Sequence, residues 1–185
     1  MVVLYLVALA GTGKYTIAQE FIKYGYKIID SHLINNAIFS LIKHDIDSID
    51  DKAWQAVRQI RQIVINFALS LEANIVFTNE LLNTTGDSKL YNKIVGFAQK
   101  KNALFVPVKL LISADERASR ISNIQRTTRF KIIKDSRIES QIPSLFPPTH
   151  ENLLEIDVTN LNPEAAAKQI LDFISVLLQK NKAME

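Results

Sequence analysis

The chain has no cysteine. That excludes a disulfide scaffold, a cysteine nucleophile and a thiolate zinc cage, and it weakly favours a cytoplasmic setting. Charge of one sign is scarce as well: 22 basic residues stand against 19 acidic ones, a formal charge of +3 over 185 residues. Total charge therefore argues against a nucleic-acid-wrapping protein and against a polybasic membrane binder. The longest apolar run, Met1 to Ala10, lacks a basic leader and has half the length of a membrane span, so it reads as a buried strand. Glycine is sparse, and two of the five glycines stand at 11 and 13.

With 48% apolar and 22% charged residues, the chain has the composition of one compact domain over 1–185. Strand-like runs fall near Val2 to Ala8, Tyr26 to Asp30, Asn74 to Thr78, Leu104 to Ile112 and Leu153 to Asp157. Helical periodicity spans Lys14 to Tyr24, His32 to Ile42, Asp50 to Glu72, Ser88 to Lys101, Asp115 to Ile124 and Pro163 to Lys180, the last opened by Asn162 and Pro163. This alternation predicts an α/β fold with a parallel sheet covered on both faces. The prolines of Gln141 to His150 predict a loop. Between Asp50 and Glu72, Ala53, Ala56, Val57, Ile60, Val64, Phe67, Ala68 and Leu71 form an apolar stripe expected to be core.

Ala8-Leu9-Ala10-Gly11-Thr12-Gly13-Lys14-Tyr15 lies across the first strand end and the first helix start. In a phosphate loop (Walker A), backbone amides wrap phosphates, a lysine neutralises the outer ones and a final short hydroxyl holds magnesium. Ala8 replaces the first glycine, which matters only where positive φ is needed. Tyr15 replaces the short hydroxyl, and its phenol lies too far from the backbone to ligate Mg2+. Thr16 stays available for an α-phosphate.

On Gly11-Thr12-Gly13-Lys14-Tyr15-Thr16, the strand Ile28-Ile29-Asp30, the basic segment 117–137 and Ile156-Asp157-Val158-Thr159, the chain resembles the small P-loop kinases of the shikimate kinase, gluconate kinase and nucleoside monophosphate kinase type. The resemblance implies a P-loop NTPase three-layer sandwich with a five-stranded parallel sheet and an arginine-rich lid. It also implies ATP and Mg2+ as cofactors and a small hydroxyl-bearing metabolite as acceptor. Ala10 to Thr16 would bind nucleotide. Asp30 would orient magnesium water or accept the acceptor proton, with helix capping as its alternative role; His32 is a weaker candidate.

The segment 117–137 carries Arg117, Arg120, Arg126, Arg129, Lys131, Lys134 and Arg137 against Asp135 alone, so the rest of the chain is net −3. By resemblance Arg126 and Arg129 are lid arginines that would act in catalysis beside Lys14, Arg120 stacks on adenine, and Asp157 and Thr159 flank the nucleotide. Trp54, Arg58 and Arg61, spaced i, i+4, i+7, lie on one helix face and suit an anionic or aromatic acceptor. Glu80, just past the third strand, is a candidate magnesium-orienting or substrate-binding acid. Tyr15 keeps a nucleotide-binding regulator or pseudokinase open, and the basic segment keeps a nucleic-acid-end kinase open. Monomer and homodimer are both compatible with the sequence.

Overall fold

A computed structural model describes residues 1–42, 49–82, 84–122, 145–147 and 149–183. Five strands form it: β1 (Val2–Val7), β2 (Lys27–Asp30), β3 (Ile75–Asn79), β4 (Leu104–Leu111) and β5 (Leu154–Asp157). The helices are α1 (Lys14–Gln19), α2 (Ser31–Phe39), α3 (Asp51–Leu69), α4 (Thr85–Lys100), α5 (Ala114–Ile121) and α6 (Pro163–Lys182). The five strands pair in parallel, in the order β2-β3-β1-β4-β5.

Side chains alternate across a strand, so β1 feeds two cores. Val2, Leu4 and Leu6 join Ile17, Phe21, Ile170 and Ile174 on the α1/α6 face. Val3, Tyr5 and Val7 join Ile65, Tyr91, Ile94 and Phe97 on the α3/α4 face. All six β1 residues are buried, which explains why β1 reads as a continuous apolar run. Because β1 lies between β3 and β4, the loop that follows it opens at the carboxyl end of the sheet, where the strand order reverses.

Helix starts follow local chemistry. Side-chain oxygens of Asp50, Thr84, Ser113 and Asn162 accept first-turn amides of α3, α4, α5 and α6. The predicted first helix is shorter than its periodicity: α1 ends at Gln19, and a 3-10 turn over Ile22–Tyr24 leads into Gly25 at φ 81°.

One core expectation needs correction. Phe67, expected in the core, is 66% exposed, while Ala53, Val57, Ile65 and Ala68 are buried. Two apolar stripes overlap on α3, and the inward one carries Arg61 between Val57 and Ile65, so periodicity alone favoured the wrong neighbour. In the predicted loop 141–150, Leu145 is buried and makes an antiparallel bridge to Leu82, and the Phe146 amide donates to Leu81 C=O at 3.2 Å. This piece packs on Tyr91 through the Phe146 ring, with centroids 5.0 Å apart. No described helix is long and apolar enough to cross a membrane.

Candidate phosphate loop and acceptor pocket

Residues 8–13 wrap the end of β1. The Ala8 amide donates to Asn79 C=O at 3.2 Å, and the Thr12 hydroxyl donates to Leu9 C=O at 2.9 Å, which closes the loop on itself. Gly11 and Gly13 have φ of 92° and 95°, the left-handed region where a side chain is strained. Ala8 does not: among the described residues Asn102 is the non-glycine with positive φ. The alanine in place of the first glycine therefore costs no backbone strain.

Gly11 is needed for a second reason. A Cβ there would stand 2.7 Å from Ile121 Cγ1 and 3.3 Å from Arg117 Cγ, so α5 packs directly on the outside of the loop. Lys14 Nζ donates to the carbonyls of Ala8 at 2.8 Å and Leu9 at 2.9 Å, which holds the ammonium over the loop. Tyr15 is half-buried in the first turn of α1, and Thr16 is exposed.

Charged side chains brace the loop from both flanks. Glu80 Oε2 accepts the Ala10 amide at 3.0 Å, and Arg117 Nε donates to Ala10 C=O at 3.0 Å. Arg117 is 2% exposed, so this cation of the basic segment belongs to the loop packing. Arg120 joins three elements: Nε to Glu116 at 2.7 Å, one terminal nitrogen to Thr12 C=O at 3.1 Å and the other to Thr159 C=O at 3.3 Å. Thr159 Oγ1 accepts the Ser113 amide at 2.9 Å, and the Thr159 amide donates to Asp157 at 2.8 Å. The Thr159 side chain and amide hold the exposed Asp157 carboxyl below the usual carboxylate range.

Asp30 ends β2 and caps α2. Its Oδ1 accepts the amides of His32 at 2.9 Å and Leu33 at 3.0 Å, and its Oδ2 accepts Thr78 Oγ1 at 2.6 Å. Capping is thus an observed role of Asp30. The donor set would suit a magnesium ion that keeps its waters and leans on substrate phosphates, with Asp30 placed to accept from a water and not to ligate directly. It does not suit an all-protein cage, since no three His, Asp or Glu side chains converge among the described residues.

On the β2/β3 side a small cavity is lined by Ile29, Ser31, Ile34, Arg61, Phe77 and Asn79, among others. At about 10 Å³ it admits about one water centre. Arg61 donates to Asn35 Oδ1 at 3.1 Å, while its buried Nε has no hydrogen-bond partner among the described residues. Burial lowers the Arg61 pKa; Tyr5 and Asp87 oppose that, and Arg58 adds to it. The expected trio on α3 therefore divides: Arg58 is exposed, Trp54 packs edge-on against Phe39 with centroids 5.0 Å apart, and Arg61 turns to the cavity.

The structure thus gathers Ala10 to Lys14, Glu80, Arg120 and Thr159 around one loop, with Asp157 held to Thr159 and Arg61 at a separate cavity. Arg126 and Arg129 lie outside the described residues. Sequence reasoning missed Thr78 as the partner of Asp30, because only the strand register Asp30↔Thr78 makes them neighbours.

Solved structures share this architecture. A gluconokinase from Sinorhizobium meliloti matches at 13% identity with a TM-score of 0.56, over 100% of this chain and 97% of that one. A shikimate kinase from Acinetobacter baumannii, in complex with shikimate, matches at 14% and 0.55, over 95% and 94%. An APS kinase from Mycobacterium tuberculosis, in complex with AMPPNP and APS, matches at 13% and 0.56, over 94% and 97%. The chain has the small P-loop kinase fold. No family model matches it, and no curated protein sequence does.

Proposed function

We propose that this protein is an ATP-dependent kinase that transfers the γ-phosphoryl group to a hydroxyl of a small anionic metabolite. The observation that carries the reading is the loop itself. Two left-handed glycines and Lys14 sit at the carboxyl end of the central strand, in a fold shared with kinases of small molecules.

In this reading the amides of Gly11 to Thr16 and the Lys14 ammonium hold the β- and γ-phosphates. Arg120, already bonded to Thr12 and Thr159, sets the nucleotide side of the loop against the β5–α6 connection, where Asp157 and Thr159 lie. Arg61, a half-buried guanidinium with no carboxylate in ion-pair contact among the described residues, would meet an anionic group of the acceptor. Arg58 and Glu80 contribute from the rim and the loop, and Arg126 and Arg129 supply positive charge to the transferring group. Asp30 accepts a hydrogen bond from a metal-bound water or from the acceptor hydroxyl. Mg2+, when bound, would be held by the substrate phosphates and by Asp30 through water, and would neutralise phosphate charge. The bond from the γ-phosphorus to its bridging oxygen breaks, a bond to the acceptor oxygen forms, and the acceptor proton is released with ADP.

Tyr15 supports a second reading, a nucleotide-binding regulator with a weakened metal site. Titration calorimetry with ATP, with and without Mg2+, followed by phosphorylation of a panel of small hydroxy acids and sugars, separates the two. Mg2+-strengthened ATP binding and transfer to a panel member support the kinase. Binding without transfer or hydrolysis supports the regulator. Lys14→Ala is expected to weaken ATP binding by about 1 to 3 kcal/mol, the range for a charged hydrogen bond.

A further inference from the structure

Three donors from two elements hold the Asp30 carboxylate: the His32 and Leu33 amides of α2 on Oδ1, and the Thr78 hydroxyl of β3 on Oδ2. Asp30 is 7% exposed and Thr78 fully buried, so water does not compete freely for these bonds. A carboxylate offers about four acceptor directions. The three donors leave about one, on Oδ2.

The two amides fix only one oxygen. Rotation of an aspartate about χ2 is broad, so a capping aspartate can still swing its other oxygen. Thr78 removes that freedom: its β-branched side chain is stiff at χ1, and its place in the ladder is fixed by the register Asp30↔Thr78. Its hydroxyl hydrogen is committed to Oδ2 at 2.6 Å.

We infer that Thr78 is a positioning residue, which aims the one remaining acceptor direction of Asp30 at the water or hydroxyl used in phosphoryl transfer. The inference rests on the kinase reading and adds to it a residue outside the phosphate loop. Thr78 acts only through Asp30, and Asp30 becomes a single-acceptor group with a fixed direction. A hydroxyl that only satisfied a buried carboxylate would instead matter for folding and leave metal coupling and turnover unchanged.

The test is a double-substitution cycle on the full chain, read by MgATP hydrolysis and by the ratio of ATP affinities with and without Mg2+. Thr78→Val keeps the shape and removes the donor. It is expected to cut hydrolysis by about 10-fold or more and to lower the Mg2+ affinity ratio, whereas Thr78→Ser keeps both within about 3-fold. In an Asp30→Asn background, Thr78→Val should add no more than about 2-fold, because coupled residues are not additive. Melting temperature is followed throughout; should Thr78→Val not fold, Thr78→Cys, a much weaker donor, takes its place. Wild-type protein that binds and hydrolyses MgATP while Thr78→Val is indistinguishable from it overturns this inference alone. So does a Thr78→Val loss that is equally large in both backgrounds. Wild-type protein that binds no ATP overturns the kinase reading and this inference with it.

Discussion

Glu80 and Arg117 grip the two sides of one residue: Glu80 accepts the Ala10 amide at 3.0 Å, and Arg117 donates to the Ala10 carbonyl at 3.0 Å. The third position of the phosphate loop is thereby tied to the end of β3 and to α5. Arg117→Ala removes a charged hydrogen bond and leaves a cavity where the side chain is 2% exposed. Its expected cost is about 2 to 5 kcal/mol in urea unfolding. Glu80→Gln keeps an acceptor for Ala10 and is expected to cost less than about 1 kcal/mol. Equal losses for the two would show that the guanidinium has no special place in the packing.

Gly11→Ala puts a methyl group at a φ of 92° and 2.7 Å from Ile121 Cγ1. Backbone strain of this kind costs about 1 to 3 kcal/mol, and the contact adds to it. Adding Ile121→Ala relieves the contact but not the φ. The pair is therefore expected to be more stable than the sum of the two single losses predicts, and thermal melts of the four proteins measure the difference. Additive losses would place α5 farther from the loop.

Alkaline pH should destabilise the fold. Burial pushes Tyr91 from its ordinary 10.0 up to about 12 and pushes Tyr5 higher still, with Arg61 opposing the shift at Tyr5. The folded state holds these protons more tightly than the unfolded chain. The Tyr91 contribution is therefore complete below pH 10 and is lost as pH rises through about 12, and that of Tyr5 is lost over a range that extends higher. Tyr91→Phe should flatten that loss. At pH 7 it should cost nothing, because the Tyr91 hydroxyl is buried without a hydrogen-bond partner among the described residues. A neutral-pH loss above about 1 kcal/mol would show that the hydroxyl is satisfied after all.

Tyr15→Ser restores a short hydroxyl at the magnesium position of the loop without touching Lys14 or Thr16. The expected result is stronger Mg2+ dependence of ATP binding, faster turnover, or both, read by calorimetry and a coupled ATPase assay. Loss of nucleotide binding instead would give the half-buried ring a role of its own.

Much of this fold was legible because its signals are local. The apolar run before Gly-Thr-Gly-Lys announces β1 and its loop, and Asn162-Pro163 announces the start of α6. What the sequence hid depends on contacts between distant segments. Phe67 and Ile65 both fit a helical stripe, and only packing against β3 and α4 decides that Ile65 turns inward. Arg117 looks like a lid cation until α5 is seen lying on Gly11. Leu145 sits among prolines, yet a bridge to Leu82 draws it into the core. Thr78 is an ordinary strand residue until the register sets it beside Asp30.

Arg61 occupies a turn of α3 whose neighbours at 57 and 65 are buried aliphatics. A leucine or methionine there would remove an unpartnered Nε from an apolar setting, and such replacements of buried charge are often neutral or favourable to folding. Arg61→Met is thus expected to hold or raise the stability of the fold. A guanidinium placed between aliphatic neighbours would then trade endurance for use. Arg61→Met measures it directly, since a rise in melting temperature together with a loss of acceptor phosphorylation would expose both sides of the trade.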